Sequence, residues 1–121
     1  MAEKFLYDTY ALMELLGKNP NYEKYLDKDI IINDFIFAEF CYNLIKENKK
    51  NMHEYLNEVE PAIVRASVKL IKLAMEFKHK NKSKKMSMTD CISYFQAKEL
   101  GIKFLTGDKQ FENLEEVEFV K

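Results

Sequence analysis

The sequence predicts an α/β sandwich built around a mainly parallel sheet of four or five strands. Three observations carry that prediction. The short apolar runs Phe5-Leu6-Tyr7, Ile30-Ile31-Ile32 and Phe104-Leu105 read as buried strands. Longer stretches with apolar residues at helical spacing lie between them. The composition, 47% hydrophobic and 32% charged with only three Gly and two Pro, is that of a compact, helix-rich chain rather than a disordered one. A length of 121 residues suits one domain over 1–121. No repeat, low-complexity linker or second-domain boundary interrupts it.

Taken in order, Lys4 to Asp8 is a short buried strand, and Leu12, Leu15 and Leu16 then recur at helical spacing until Gly17 ends the helix. Asn19-Pro20-Asn21 is a turn, and Tyr22 to Lys28 places Tyr22, Tyr25 and Leu26 on one side of a short helix. Ile30 to Ile32 is β-branched and apolar on both faces, as an interior parallel strand requires, and it ends near Asn33. With Asp34 as N-cap, Phe35 to Lys46 is apolar nearly all round and predicts a mostly buried helix.

Asn51 to Val59 is a weaker helix. Pro61 then opens a long one that runs to about Lys78, with Ile63, Ala66, Leu70, Ala74 and Phe77 as its apolar stripe. Ser87 or Thr89 caps a helix over Met88 to Leu100 that turns Ile92, Phe95 and Ala97 inward and closes at a left-handed Gly101. Lys103 to Thr106 is the third strand, Asp108 to Asn113 a turn, and Val117 to Val120 alternates as an edge strand does.

Charge balance excludes a uniformly basic nucleic-acid coat: 19 basic residues stand against 20 acidic ones. Any nucleic-acid contact is therefore local. Lys78, Lys80, Lys82, Lys84 and Lys85, with His79, make a basic run that reads first as a solvated loop and second as a grip for phosphates. No segment approaches the roughly 18 apolar residues of a membrane span, and Glu3, Lys4 and Asp8 occupy the place of a signal-peptide core, so a cytoplasmic protein without membrane association is expected. Cys41 and Cys91 lack Cys-x-x-Cys spacing and read as buried thiols, not a disulfide or zinc site. His53 and His79 read as surface residues, which argues against a histidine general base.

Four acids stand out. Asp8 and Asp108 follow strands, where open α/β sheets place their ligands, Asp90 opens a helix, and Glu39 interrupts an apolar helix. Singly, Asp8 and Asp108 are explained as turn caps, and Asp90 as a first-turn acid that complements the helix dipole. Jointly they deliver four carboxylates to one end of a sheet. Hard cations such as Mg²⁺ and Mn²⁺ take oxygen ligands, and a metal held by carboxylates alone suits phosphodiester cleavage.

The pieces Asp8-Thr9, Glu39, Thr89-Asp90 and Thr106-Gly107-Asp108-Lys109-Gln110-Phe111, in this order, resemble those of PIN-domain ribonucleases. Within that superfamily the chain is similar, over its whole length, to the small VapC-type toxins of toxin–antitoxin pairs. The resemblance implies a PIN-like fold and a metal-dependent endoribonuclease in which Asp8, Glu39, Asp90 and Asp108 bind one or two Mg²⁺ or Mn²⁺ ions and carry catalysis. It further implies that Thr9 and Thr106 support the site, that Phe111 packs the last loop, that RNA is the substrate, that a small antitoxin silences the protein, and that it forms a homodimer. Two departures bear on it. Ala38 stands where relatives often carry a hydroxyl residue before the second acid, and the further acid or amide after the last motif is Glu112 or Asn113. The alternatives are a PIN-fold module that binds RNA or protein without cleavage, and an RNA-processing nuclease that is not a toxin. A phosphoaspartyl enzyme ranks last because the acidic pairs of such enzymes are missing.

Overall fold

A computed structural model describes residues 3–121. Its strands are β1 (Lys4–Tyr7), β2 (Asp29–Ile31), β3 (Lys103–Thr106) and β4 (Val117–Phe119), and its helices are α1 (Thr9–Leu16), α2 (Asp34–Lys46), α3 (Met52–Val59), α4 (Val68–Lys80) and α5 (Met88–Leu100). The sheet has four strands in the order β2-β1-β3-β4, and every pairing is parallel. All four strands therefore end at the same edge. The chain moves from β1 to one neighbour, β2, and later returns to the other, β3, so strand order reverses between β1 and β3. That is where an open α/β sheet leaves a crevice beyond its strand ends.

Leu6, Tyr7, Phe104 and Leu105 are fully buried, as strands covered on both faces must be. On one face Phe5 meets the edge of the Tyr25 ring at 5.3 Å. On the other, Phe104 packs against Phe111 at 5.4 Å, and Tyr94 of α5 closes on Phe111 at 5.8 Å. Phe111 thus pins the loop after β3 into the core, in keeping with the packing role expected of it. Tyr22 and Tyr25 are core residues. His53 and His79 are exposed, Cys91 is buried, and Cys41 is partly so.

β2 lies at the edge of the four strands rather than in the interior expected of it, with Ile30 and Ile31 only partly buried, and three further expectations change. The N-cap of α2 is Asn33, not Asp34: the Asn33 side chain accepts a hydrogen bond from the Ile36 N–H at 2.9 Å. Asn33 reaches further because it is wholly buried and its amide donates to Ser93 Oγ at 3.0 Å and Gln96 Oε1 at 2.9 Å. An aspartate has no proton to give those acceptors, and this is why the amide takes the position. Second, α2 is not mostly buried. Ile36, Phe40 and Leu44 face the core, while Phe35, Tyr42 and Ile45 on its other side are 37%, 63% and 58% exposed.

Third, Pro61 does not open the long helix. It sits in a 3-10 turn over Glu60–Ala62, after which Ile63 pairs as an isolated parallel bridge with Ile32. The Ile32 N–H donates to the Ala62 carbonyl at 3.0 Å, and the Val64 N–H to the Ile32 carbonyl at 2.8 Å. Gln96 also donates to the Val64 carbonyl, so extended pairing takes the backbone groups that a helix would otherwise use. The helix begins at Val68, capped by Ser67.

Among the described residues, Tyr7 Oη is the one buried side-chain polar atom without a hydrogen-bond partner, and burial pushes its phenol up to about 12. A buried group left unpaired costs about 1–3 kcal/mol. Tyr7→Phe removes that cost with little change of shape, so the variant should be as stable as the parent or more stable by about 1 kcal/mol in urea unfolding. Asn33→Ala should do the opposite. It removes a helix cap and strands buried partners on α5, and should lower unfolding free energy by about 2–4 kcal/mol in the same assay.

Candidate active site

The strand ends converge on one cleft. Asp8 follows β1 and is nearly buried, with 2% of its surface exposed. Its Oδ1 accepts the Ala11 N–H at 2.6 Å, which caps α1, and its Oδ2 accepts a hydrogen bond from the Thr106 hydroxyl at the end of β3. Thr106 Oγ1 in turn accepts the Asp108 N–H at 3.0 Å. One hydroxyl therefore ties the two aspartates together across the crevice between β1 and β3. Asp108 also caps the turn after β3 by accepting the Gln110 N–H at 2.9 Å.

Glu39 reaches the cleft from the exposed side of α2, where the Thr9 hydroxyl donates to its Oε1 at 2.6 Å. The hydroxyl missing at Ala38 is thus replaced from α1. Asp90 sits in the first turn of α5, whose N-cap is Ser87, and Ser87 Oγ accepts the Asp90 N–H at 3.0 Å. Asp8, Glu39, Asp90 and Asp108 line this one cleft together with Thr9, Tyr10, Ser87, Gly107 and Lys121. The structure does not bring Glu112 or Asn113 into it, and both are exposed. The capping readings are also correct for Asp8 and Asp108, since each caps a helix or turn and faces the cleft at once.

Gly107 is a requirement of close approach. A Cβ built there would lie 2.1 Å from Cε1 of Tyr10, so the ring from the first α1 turn presses against the loop that carries Asp108. Neither this contact nor the position of Lys121 is signalled by residue spacing. Both depend on how the end of β3 and the end of β4 meet α1.

Four carboxylates in one cleft oppose one another's ionisation. Burial pushes Asp90 up to about 8, with repulsion from Asp8, Asp108 and Glu39 adding to it and the hydrogen bond at Ser87 opposing it. Burial likewise lifts Asp8 to about 6, even though hydrogen bonds from Thr106 and Ala11 favour its ionised form. Among the described residues the ion pairs are Lys28–Asp27, Lys49–Glu47 and Lys103–Glu118, and none neutralises an acid of the cleft. An all-oxygen, uncompensated donor set fits a hard divalent cation. In the arrangement seen, no three Asp, Glu, His or Cys side chains among the described residues are gathered closely enough to share one ion. Filling the site therefore calls for side-chain adjustment.

The sequence profile of the PIN domain matches residues 5–117, and the chain belongs to the PIN domain family. Solved structures agree on the fold. A toxin-antitoxin complex from Klebsiella pneumoniae contains a chain that superposes with a TM-score of 0.75 at 16% identity, covering 94% of this chain and 95% of that one. VapC20 of Mycobacterium tuberculosis, described as a sarcin-ricin loop cleaving toxin, gives a TM-score of 0.75 at 14% identity over 97% and 99% of the two chains. PAE2754 from Pyrobaculum aerophilum gives 0.69 at 17% identity over 98% and 90%. No curated protein sequence matches the chain significantly. Among the described residues no helix is long and apolar enough to cross a membrane.

The raised carboxyls have a consequence for stability. Asp90 binds its proton more tightly in the folded state than in the unfolded chain, where it titrates near 3.8. Its contribution is therefore fully present below about pH 3.8 and is lost as pH rises through about 8. Asp90 is only half-buried, so solvent screens part of the effect. In chelator the wild-type melting temperature should fall between pH 5 and 9. Asp90→Asn should melt a few degrees higher than wild type at pH 8, on the order of 1 kcal/mol, and the two should converge near pH 4.

Proposed function

We propose that the protein is a divalent-metal-dependent endoribonuclease that serves as the toxin of a toxin–antitoxin pair in the cytoplasm. The observation that carries this reading is the set of four carboxylates, without an ion pair among the described residues, in one cleft beyond the parallel strand ends. Family membership supports it, as does the likeness in fold to a sarcin-ricin loop cleaving toxin and to a chain of a toxin-antitoxin complex. Asp8, Glu39, Asp90 and Asp108 are the residues that would hold Mg²⁺ or Mn²⁺. When bound, such an ion supplies Lewis acidity that lowers the pKa of the attacking water and offsets charge on the phosphodiester.

The chain's own groups fix the donors. Thr106 orients Asp8 and braces the backbone at Asp108, and Thr9 orients Glu39. Such outer partners hold a ligand in one rotamer and typically contribute 10- to 100-fold to affinity or rate. Hydrolysis would leave a 5′-phosphate on one RNA fragment and a hydroxyl on the other. The groove between α1 and α2, lined by Met13, Ala38 and Tyr42, continues from the cleft and shares Thr9, Tyr10 and Glu39 with it. An antitoxin segment lying there would reach the acids, and a homodimer is the assembly proposed for the toxin.

The test is cleavage of total RNA by the chain purified alone, in Mg²⁺, Mn²⁺ and chelator. Cleavage should require metal and should fall by at least about 100-fold in Asp8→Asn and in Asp108→Asn, while Thr9→Val should lose about 10-fold. If folded wild type leaves RNA intact in both metals yet binds it equally well with and without Asp90 and Asp108, the protein is instead a PIN-fold binding module.

A further inference from the structure

Lys121 is the only basic residue that lines the acid cleft among the described residues, and its placement is enforced. The Val120 N–H donates to the Thr106 carbonyl at 2.9 Å, which extends the pairing of β4 with β3. Tyr22 Oη donates to the Val120 carbonyl at 2.7 Å. The side-chain amides of Asn19 and Asn21 both donate to the Lys121 carbonyl, at 3.2 and 2.9 Å. One of these hydrogen bonds ties Val120 to β3, and the other three, all from the segment Asn19–Tyr22, hold residues 120–121 against the turn after α1.

From this anchor the Lys121 ammonium lies over the Tyr10 ring, 5.4 Å from its centroid. The same ring approaches Gly107 so closely that a Cβ there would clash with it, which places Tyr10 beside the loop that carries Asp108. The ammonium makes no ion pair with any of the four acids. Lys121 is exposed where it lines the cleft, with the Tyr10 ring beneath its ammonium and no hydrogen bond from that ammonium to any described residue.

A cleft lined by four carboxylates repels an RNA strand, and a cation within it offsets charge only at the phosphate being cut. The neighbouring phosphate needs its own countercharge. We infer that Lys121 binds the RNA phosphate adjacent to the scissile one and so fixes the strand across the cleft, an assignment that rests on the nuclease reading above. An ammonium suits this role because it acts as a point charge toward phosphate without demanding a planar partner. The Tyr10 ring favours that position of the charge through a cation–π contact.

Steady-state kinetics test the assignment on a labelled oligoribonucleotide spanning a site that wild type cuts in total RNA. Lys121→Met keeps the apolar stem against Tyr10 and removes only the charge, and Lys121→Arg restores it. Lys4→Met, at the opposite end of β1 from Asp8, controls for general loss of positive charge. At about 50 mM salt Lys121→Met should raise KM roughly 5- to 10-fold with kcat within about twofold, and its salt dependence should be shallower by about 0.7 in log–log slope, the signature of one lost phosphate contact on a single strand. Lys121→Arg should return KM to within about twofold of wild type, and Lys4→Met should leave both KM and slope unchanged.

A Lys121→Met enzyme with wild-type KM and slope overturns the assignment while leaving the nuclease standing. So does a loss confined to kcat, or an equal effect in Lys4→Met. A folded wild type that does not cut RNA overturns the nuclease reading and this assignment with it.

Discussion

Mutual repulsion among four carboxylates is the constraint around which the strand ends are organised. Among the described residues none forms an ion pair with them, so they are held instead by backbone N–H groups and hydroxyls. Asp8 is the most committed, because one of its oxygens caps α1 and the other takes the Thr106 hydroxyl. The same hydroxyl accepts the Asp108 N–H, so the separation of the two aspartates is set by a single side chain on β3. Parallel alignment of β1 and β3 makes this possible, since Tyr7 pairs with Leu105 and the next residues, Asp8 and Thr106, follow side by side at the strand ends.

Behind the cleft lies a network of satisfied polar groups. The Asn33 amide joins the end of β2, the start of α2, and Ser93 and Gln96 of α5 into one buried network, and Gln96 carries it on to the Val64 carbonyl. Every member has a partner, so the network fixes geometry without stranding a donor. It also orients α2 and α5, the two helices that deliver Glu39 and Asp90.

Much of this was legible in the residues, because the features that place the site are local. Strand ends at Asp8 and Asp108 follow from apolar runs, and the Ser87 cap and Gly101 terminator bound α5 where Asp90 begins it. Long-range features were not legible. Asn33 looks like a turn residue until Ser93 and Gln96, sixty positions away, are brought beside it. Ile63 and Ala66 fit a helical stripe by spacing, yet pairing with Ile32 claims the backbone first. Spacing presents Glu39 as an acid within a mostly buried helix, whereas it stands on that helix's exposed side with a hydroxyl donated from α1. Glu112 illustrates the opposite failure, since its nearness in sequence to Asp108 does not carry it into the cleft.

The exposed side of α2 joins two properties on one rigid rod. Phe35, Ala38, Glu39, Tyr42 and Ile45 fall at three- and four-residue intervals, so an apolar surface and a carboxylate of the cleft turn together. Whatever covers the apolar residues and tilts or rotates the helix also moves Glu39 relative to Asp8, and the reverse holds. Linkage makes such coupling reciprocal: if occupancy of the cleft favours one setting of α2, it must strengthen or weaken every contact on that helix face by the same factor with which those contacts alter affinity in the cleft.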